Sequence, residues 1–484
     1  MHDTDRRIRV DAICVLLFCA IAIASRATTI IVTSTNDSGP GSLRQALADA
    51  SDGDVINFDP SLNGQAIRLT TPALVIDDSI SITGPGPDLL AICRGSNDCF
   101  SSFDRLRATD KSPRVRPQGI GLGIFHVMPG HVVTISGLTI SYGHDTGGGI
   151  FNDQSSLTVD DCTIWGNLDD STSGGGGIHN AGATANLMLS DSRISGNSAF
   201  GGYGGGIYNE SGTAIITNSA ITNNVSPLLP LLDGGGIWNG GMAEITNCMI
   251  TGNFAGGLGG GIRNAGKLIL TNSTLSGNHA GTNLGGSGYG GGIYNSGTLE
   301  ITNSSITENN ATGKSSGWGG GISSQGSVEI RNTTFSGNYA GVHGGTIYGG
   351  TFGIANSILN AGTPENISGG NVTSHGYNIA SDNAGGFLTG PGDQININPL
   401  IGPLQDNGGP TFTHELLPGS PAIDTGDPNF MPPPFYDQRG LPFVRVFNSR
   451  IDIGSFELQP APAPTPTPRP TSTPRPRPTP QVQR

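Results

Sequence analysis

A glycine-rich hexapeptide that recurs along the middle of the chain constrains the fold more than any other feature. It reads GGGIFN at Gly147–Asn152 and weakens to GGTIYG at Gly344–Gly349. From Ile150 to Ile322 the mean period is about 29 residues. One repeat of this length cannot bury its apolar side chains alone, but a stack of repeats can. The period therefore predicts one long solenoid, where length alone would allow about three domains. The intermediate copies are Gly175–Asn180, Gly204–Asn209, Gly234–Asn239, Gly259–Asn264, Gly290–Asn295 and Gly319–Ser324.

The second half of each repeat alternates apolar and polar side chains, which is typical of strands with one buried face. Three short strands per repeat, joined by Gly and Asn turns, would stack in parallel about 4.8 Å apart. Parallel crossovers are almost always right-handed, so the predicted fold is all-β, a right-handed parallel β-helix. A propeller blade needs about 40 residues, which excludes that alternative. The apolar columns are Leu157, Leu187, Ala214, Ala243, Leu268, Leu299, Val328; Val159, Leu189, Ile216, Ile245, Leu270, Ile301, Ile330; and Ile164, Ile194, Ile221, Ile250, Leu275, Ile306, Phe335.

Asparagine fills two further columns, which predicts ladders of side-chain amides along the stack. Several of these residues also fit the glycosylation pattern, but the ladder interpretation is preferred. Cys162 and Cys248 share one column three coils apart, about 14 Å at the strand spacing and too far for a disulfide. We expect both to be free and semi-buried. The asparagine columns are Asn152, Asn180, Asn209, Asn239, Asn264, Asn295; and Asn167, Asn197, Asn224, Asn253, Asn278, Asn309, Asn338.

The N-terminus has the organisation of an export signal. Arg6, Arg7 and Arg9 precede the apolar run Ile13–Ala24, which predicts a signal peptide over residues 1–27. That run is too short to span a bilayer, and no later segment is apolar enough to do so, which predicts no transmembrane segment in the mature chain. The formal net charge of −13 argues against nucleic acid as a partner.

Irregular coils are expected in front of the repeats, over residues 28–141. The sequence Ser42-Leu43-Arg44-Gln45 fits a capping box and predicts a cap helix, Leu43–Ala50, over the first coil. A loop is inserted at residues 93–120, in which Cys93 and Cys99 could pair in an oxidising compartment. The strands predicted in this part are Val55–Phe58, Ile67–Leu69, Leu74–Ile82 and Val132–Ile140.

The regular repeats occupy residues 142–360, and the last coils with a C-terminal cap are expected over residues 361–458. Residues 459–484 alternate Pro with Ala, Thr and Arg, which predicts a disordered spacer.

Several motifs resemble known families of exported proteins. The GGGI-Y-N and I-S-G-N pairs resemble the repeats of polymorphic outer-membrane proteins and of the wider pectin-lyase-like β-helix superfamily. Residues 40–47 with 53–56 resemble the CSLREA-type segment of bacterial exported β-helix proteins, with Gly41 at the Cys position. SPAID at 420–424, DQRG at 437–440 and DIGSFE at 452–457 resemble the choice-of-anchor Q region. The resemblance implies this fold and export, on which enzymes and non-enzymes both occur.

Polysaccharide lyases of that superfamily use an acidic cluster that holds Ca²⁺ together with an Arg or Lys base, and the hydrolases use several Asp residues. The candidates here are Asp160, Asp161 and Asp191 on adjacent coils. Later coils carry Asn at the positions of Asp161 and Asp191, which favours a structural column. We therefore assign no catalytic residue, cofactor or metal ligand. A polysaccharide lyase or glycoside hydrolase, with Ca²⁺ in the acidic turns, is the alternative.

The residue after each buried Ile of the hexapeptide points outward, and it is often aromatic. Rings one coil apart would form a stepped platform whose faces suit sugar rings. Stacking that only stabilises the coils is the alternative. The preferred function is an exported protein of the cell surface or secreted fraction that binds polysaccharide or another cell-envelope component, adhesin-like, without catalysis. The platform residues are Phe151, Tyr208, Trp238, Tyr294 and Tyr348.

A group of ionisable residues near the C-terminus has the composition of an active site. A closing cap held by ion pairs needs the same residue types, so we predict a polar network that fixes the end of the coil. Its members are His414, Asp424, Asp437, Arg439, Asp452 and Glu457.

Overall fold

The computed structural model describes residues 27–95, 98–100, 123–144, 146–171, 174–201, 203–227, 234–282, 287–313 and 316–459. Nearly all of the predicted signal peptide, most of the 93–120 insertion and nearly all of the Pro-rich tail lie outside these residues. In the described part, each regular coil passes through four parallel sheets in a fixed order, here called sheets 1 to 4. The predicted parallel β-helix is confirmed.

Sheet 1 begins each coil directly after the glycine-rich turn. Its eleven described strands are Leu74–Ile76, Phe125–Val127, Ile150–Asp153, Ile178–Ala181, Ile207–Asn209, Ile237–Asn239, Ile262–Asn264, Ile293–Asn295, Ile322–Ser324, Ile347–Tyr348 and Ile367–Ser368. Sheet 2 carries the longest strands. Its thirteen described strands are Thr29–Val32, Val55–Phe58, Ser81–Thr83, Val132–Ser136, Ser156–Asp160, Asn186–Ser190, Thr213–Thr217, Met242–Thr246, Lys267–Thr271, Thr298–Thr302, Ser327–Arg331, Thr351–Ala355 and Asn371–Gly376.

In the regular coils, sheet 3 follows sheet 2 after a two-residue bend. Its twelve described strands are Gln65–Leu69, Leu90–Arg94, Thr139–Ser141, Thr163–Trp165, Arg193–Ser195, Ala220–Thr222, Met249–Thr251, Thr274–Ser276, Ser305–Thr307, Thr334–Ser336, Ile358–Asn360 and Ile379–Ala380. Sheet 4 was not predicted, because two residues are too few to show an alternating pattern. Its seven described strands are Leu168–Asp169, Ser198–Ala199, Val225–Ser226, Phe254–Ala255, His279–Ala280, Asn310–Ala311 and Tyr339–Ala340.

The remaining described elements are short. Gly288–Tyr289 pairs in parallel with Gly317–Trp318, and Ile401–Gln405 pairs antiparallel with Thr413–Leu416. The helices are Leu43–Asp49 and two single 3₁₀ turns, Pro60–Leu62 and Ala384–Gly386. Within the described residues, no helix has the length and apolarity needed to cross a bilayer.

The apolar columns lie in register inside the cylinder, as predicted. Leu157 pairs with Leu187, and Ile164 with Ile194, on neighbouring strands of sheets 2 and 3. All residues of the three columns are at most 1% exposed. Complete burial of one such Leu or Ile side chain contributes about 1.5–3 kcal/mol, so the interior columns supply the main driving force for stacking.

Both asparagine ladders are present and fully buried. In the second ladder, the Asn253 Oδ1 accepts hydrogen bonds from the Asn224 backbone N–H at 2.9 Å and from its Nδ2 at 3.0 Å. The Asn253 Nδ2 donates to the Ile221 carbonyl at 2.9 Å and to the Asn278 Oδ1 at 3.0 Å. Each amide therefore satisfies buried backbone groups at a turn and also joins three coils.

The N-terminal cap helix ends one residue earlier than predicted, at Asp49. Only half of the capping box forms: the Ser42 hydroxyl accepts from the Gln45 N–H at 3.2 Å, while the Gln45 side chain donates to Asp49. Leu43, Ala46 and Leu47 of this helix belong to the main core cluster, so the helix covers the first coil.

Two long strands predicted in the first coils are wrong. Leu74–Ile82 divides into Leu74–Ile76 and Ser81–Thr83. Val132–Ile140 divides at Gly137, whose φ of 63° turns the chain from sheet 2 into sheet 3. Both segments are apolar on each side of a corner, so the sequence pattern does not reveal the bend.

The described cysteines divide into one pair and two free thiols. Cys93 and Cys99 form a disulfide with Cα atoms 5.9 Å apart, which decides a pairing that the sequence left open. Cys162 and Cys248 are free, as predicted, but they are fully buried and not semi-buried. Burial raises the pKa of both thiols to about 12. Neither thiol is therefore ionised and reactive near neutral pH.

The C-terminal region does not close the coil in the predicted way. The last coil is covered by a short segment from which Ala384, Phe387 and Leu388 pack against the main core. Residues 399–458, here called the lateral strap, instead run back along the outside of sheet 3. The Ser305 hydroxyl donates to the Gln438 Oε1 at 2.7 Å, and the strap bonds other coils in the same way.

We expect Asn253→Ala to lower the free energy of unfolding by about 3 kcal/mol. The substitution removes the side chain that bonds the Asn224 N–H and the Ile221 carbonyl, and both groups are buried. The control is Asn186→Ala, because the Asn186 side chain is exposed and, among the described residues, bonds only the carbonyl of Thr184. Urea unfolding followed by circular dichroism measures the difference. Equal shifts of the two midpoints would contradict a stabilising ladder.

Candidate binding surface and acidic groove

The predicted aromatic column runs along the outside of sheet 1 as a continuous stack of rings. It extends from His126 through Phe151, His179 and Tyr208 to Trp238, with ring centroids 4.7–5.1 Å apart. Parallel register places each ring directly above the next one. The stacking that the sequence allowed as an alternative is therefore present.

The rings of this column are less accessible than the sequence indicated. Tyr208 and Tyr294 are only 6% and 7% exposed, so the prediction of an open platform is wrong at these positions. Phe151, Trp238 and Tyr348 are partly exposed. The loss of exposure has a local cause, since further rings from the preceding loops pack over the buried tyrosines.

A second aromatic row, which the sequence analysis missed, supplies those covering rings. Tyr203 stacks on Tyr208 at 5.1 Å and also contacts Trp238 at 5.1 Å. Tyr289 and Trp318 stack on each other at 4.7 Å with their planes 16° apart, and both are partly exposed. The two rows together, Phe151, Tyr208, Trp238, Tyr294 and Tyr348 with Tyr203, Tyr289 and Trp318, are here called the aromatic face.

The second row has a simple origin in the repeat. Each of its members stands immediately before the first glycine of a glycine-rich segment, as Trp318 stands before Gly319. Gly319 has a φ of 64°, a left-handed conformation that turns the chain from sheet 4 into sheet 1. The side chain before the turn is thus directed over the outer surface of sheet 1.

A cation lies in the middle of the aromatic face, and an uncharged imidazole lies in the same column of sheet 1. The Arg263 guanidinium lies 5.8 Å from the Trp238 ring and 6.0 Å from the Tyr294 ring, which continues the column by cation–π contact. Burial lowers the pKa of His179 to about 4, and the negative charge of Asp153 offsets only part of this effect. Near neutral pH the stacked imidazole is therefore uncharged.

The acidic candidates line a different surface, an open groove of about 250 Å³ between Pro87 and Pro410. Asp161 and Asp191 occupy left-handed bends with φ of 46° and 47°, and Asn218 in the next coil has 49°. The same backbone role is thus filled by Asp or Asn, which agrees with the structural interpretation of this column. Arg193 also lines the groove.

These carboxylates do not offer a suitable calcium cage. Burial and the charges of Asp160 and Asp191 raise the pKa of Asp161. Asp160 already accepts the Ser190 hydroxyl at 2.5 Å. In the described part of the chain, no three His, Cys, Asp or Glu side chains are grouped to hold a metal ion. Calcium needs six to eight oxygen ligands, so no step of a calcium-dependent lyase follows from this arrangement.

The predicted cap residues lie within the lateral strap, and most of them meet in one buried network. Arg439 forms an ion pair with Asp437 through both its Nε and its Nη2. The Arg439 guanidinium lies between the rings of Phe443 and Phe456, and each ring centroid is 3.7 Å from the guanidinium carbon. The Asp437 carboxylate also accepts the Glu457 N–H at 2.8 Å.

The remaining cap residues extend this network, with one exception. Asp452 accepts the Asp424 N–H at 2.6 Å, and Glu457 accepts the Asp452 N–H at 3.0 Å. His414 lies apart, where its ring contacts the Gly402 carbonyl and the Thr307 hydroxyl. The network folds the strap upon itself beside sheet 3, so its predicted place at the end of the coil is wrong.

Two strap residues that the sequence analysis missed are as important as those it named. Gln438 is fully buried and donates to the hydroxyls of Thr274 and Thr411. Arg445 is fully buried and lies 4.0 Å from the Glu457 carboxylate. Even with this partner, burial raises the pKa of Glu457 to about 8. Because these groups are enclosed, the network is suited to fixing the strap and not to receiving a substrate.

One family model matches part of the chain and supports the β-helix fold there. A family model described as a right-handed β-helix region matches residues 118–242. Among solved structures, the chain is similar to pectate lyase Pel9A, with 15% identity, coverage of 90% of this chain and 97% of that chain, and a TM-score of 0.46. It is also similar to ORF18 of Geobacillus virus E2, with 12% identity, coverage of 71% and 60%, and a TM-score of 0.35. No curated protein sequence matches the chain.

We expect the protein to lose stability as the pH falls from 6.5 towards 4, in part because of His179. The unfolded chain binds a proton at the ordinary pKa of 6.5, whereas the folded chain binds it only near 4. The loss attributable to this residue is on the order of 3 kcal/mol. His179→Phe keeps a ring in the stack and should remove that part of the pH dependence, measured by urea unfolding at several pH values. His375→Phe, at an exposed position, is the control. An unchanged pH profile in His179→Phe would contradict the assignment.

Proposed function

We propose that the protein is an exported β-helix protein of the cell surface or secreted fraction that binds polysaccharide without altering it. The observation that carries the proposal is the aromatic face, where two parallel rows of rings follow the long axis of the solenoid. Two of the three tryptophans of the chain, Trp238 and Trp318, lie on it.

The geometry of the rings supports a binding role that differs from a simple stepped platform. Stacked pairs such as Tyr289 and Trp318 pack one ring face against the other, and both residues remain partly exposed. Parallel stacking of the rings is interrupted at Trp238 and at Tyr348. Trp238 stands 76° from the Tyr208 plane, and Tyr348 lies 6.3 Å from Trp318 at 39°. Such amphipathic rings contact both the apolar faces and the hydroxyls of sugars.

A regular repeat also suits a polymeric ligand. From His126 to Trp238, successive rings of the column are separated by one coil, so a ring recurs at each coil along this part of the solenoid axis. A polysaccharide offers a matching series of equivalent units. Weak contacts that recur in this way add up to useful avidity without any deep pocket.

Export and surface attachment belong to the same proposal. The Cys93–Cys99 disulfide supports an oxidising compartment. The repeats of polymorphic outer-membrane type, the CSLREA-type segment and the choice-of-anchor Q-like region support a bacterial exported protein. We place the last of these in the lateral strap, since the SPAID, DQRG and DIGSFE motifs all fall there.

We expect the double variant Tyr289→Ala, Trp318→Ala to weaken retention on its polysaccharide about tenfold, because two partly exposed stacking rings are lost. Affinity electrophoresis against a polysaccharide panel identifies the ligand and measures the change. Tyr339→Ala is the control, since this tyrosine is 42% exposed on sheet 4.

Retention that is unchanged in the double variant would contradict the aromatic face as the binding surface. New reducing ends or the absorbance of unsaturated uronates in the same mixtures would contradict binding without catalysis. Abolition of those products by Asp161→Asn with Asp191→Asn would then locate a lyase or hydrolase activity in the acidic groove.

A further inference from the structure

An open groove of about 620 Å³ lies between sheet 3 and the lateral strap, on a different side of the solenoid from the aromatic face. The strap forms an apolar wall with Ile401, Leu404 and Phe412, and the Phe412 ring is 39% exposed. Sheet 3 forms the floor with the last residue of each strand. The groove is therefore apolar on one side and polar on the other.

The floor is a series of small polar side chains on successive coils. Thr251, Ser276, Thr307, Ser336 and Asn360 pair with one another in this order in the register of sheet 3. At the strand spacing, they extend over about 19 Å. Thr307 is covered by His414, whereas the Thr251 and Ser276 hydroxyls make no hydrogen bond within the described part of the chain. These hydroxyls are free to bond a ligand.

One carboxylate is held in this groove by an unfavourable backbone conformation. Glu308 follows its sheet 3 strand with a φ of 54°, in the left-handed region. The equivalent residues Gly252, Gly277 and Gly337 have φ of 61–65° and are suited to it, whereas Asn223 and Ala361 of other coils adopt it at 55° and 51°. A residue with a side chain in this region costs about 1–2 kcal/mol.

The charge of the groove has one sign. Glu308 is exposed in it, and no Lys or Arg is among its lining residues in the described structure. The His414 ring is 5% exposed and is held by the Gly402 carbonyl at 2.7 Å and the Thr307 hydroxyl at 3.2 Å. Such a lining attracts a cationic ligand and repels an anionic one.

We propose that this groove is a second binding site that takes an amino-sugar oligosaccharide. Glu308 pairs with the ammonium group of one sugar unit, and the Thr251 and Ser276 hydroxyls bond the hydroxyls of its neighbours. The Phe412 ring packs on a sugar face. The coil spacing is comparable to the length of one sugar ring, so neighbouring units can follow the Thr251 and Ser276 positions of the floor. This site shares no residue with the aromatic face and its function does not depend on it.

The test uses the full chain and a glucosamine tetrasaccharide at mildly acidic pH, with calorimetric titration. We expect it to bind at least about tenfold more tightly than cellotetraose, which is neutral and similar in shape. Glu308→Gln should remove this difference. Glu300→Gln removes the same charge from the exposed face of sheet 2 and should leave it intact.

Stability separates a binding role from a structural one. Glu308→Gly replaces a strained residue with the glycine that neighbouring coils carry, so its urea midpoint should be unchanged or higher while binding of the tetrasaccharide is lost. Equal binding of the two tetrasaccharides, or equal effects of Glu308→Gln and Glu300→Gln, would overturn the proposal. Trp238→Ala should leave this binding unchanged. A chain that binds polysaccharide through the aromatic face but ignores the glucosamine tetrasaccharide would refute this site alone.

Discussion

The whole structure depends on parallel pairing in exact register between one coil and the next. Backbone hydrogen bonds of sheets 1 to 4 link adjacent coils, and the asparagine amides do the same at two turns. A slip of one residue would turn every inward column outward and break both ladders together. Several independent sets of contacts therefore specify the register between coils. Its consequence is that residues about 29 positions apart in sequence become direct neighbours.

Register also converts a single position of the repeat into a continuous surface. The position after the buried Ile becomes the first aromatic row, and the position before the first glycine becomes the second. The glycines between them have a packing role as well as a turning role. At Gly205 and Gly235 an added Cβ would collide with the backbone of the next coil, so close approach of the coils requires glycine there. The same segment thus sets the turn, the contact between coils and the placement of the rings.

The sequence was sufficient to predict the structural features that repeat from coil to coil. It was insufficient to predict those that occur once. Columns of like residues revealed the interior, the amide ladders and the first aromatic row. The second row was present in the same alignment, at Tyr203, Tyr289 and Trp318, but other residue types at the same position of the remaining repeats concealed it. The exposure of Tyr208 could not be read from its own column, because the ring that covers it belongs to a loop.

The lateral strap was beyond prediction for a different reason. Its contacts join residues far apart in the chain, such as Ser305 with Gln438 and Thr274 with Phe412, and no repeat marks them. Its acidic and basic residues showed that a network exists but not where it lies. A sequence motif identifies a segment that folds on itself, whereas the surface on which the segment docks is decided by shape and by polar groups spread over several coils.

The strap changes how the solenoid can come apart. A stack in which each unit contacts only its neighbours tends to fray from its ends, one coil after another. Here one segment is bound to coils containing Thr274, Ser305, Thr334 and Asn356. Those coils can separate from one another only if the strap also detaches from them. The C-terminal part of the cylinder therefore unfolds as one cooperative unit. Mechanical unfolding and proteolysis start more easily at the opposite, N-terminal end.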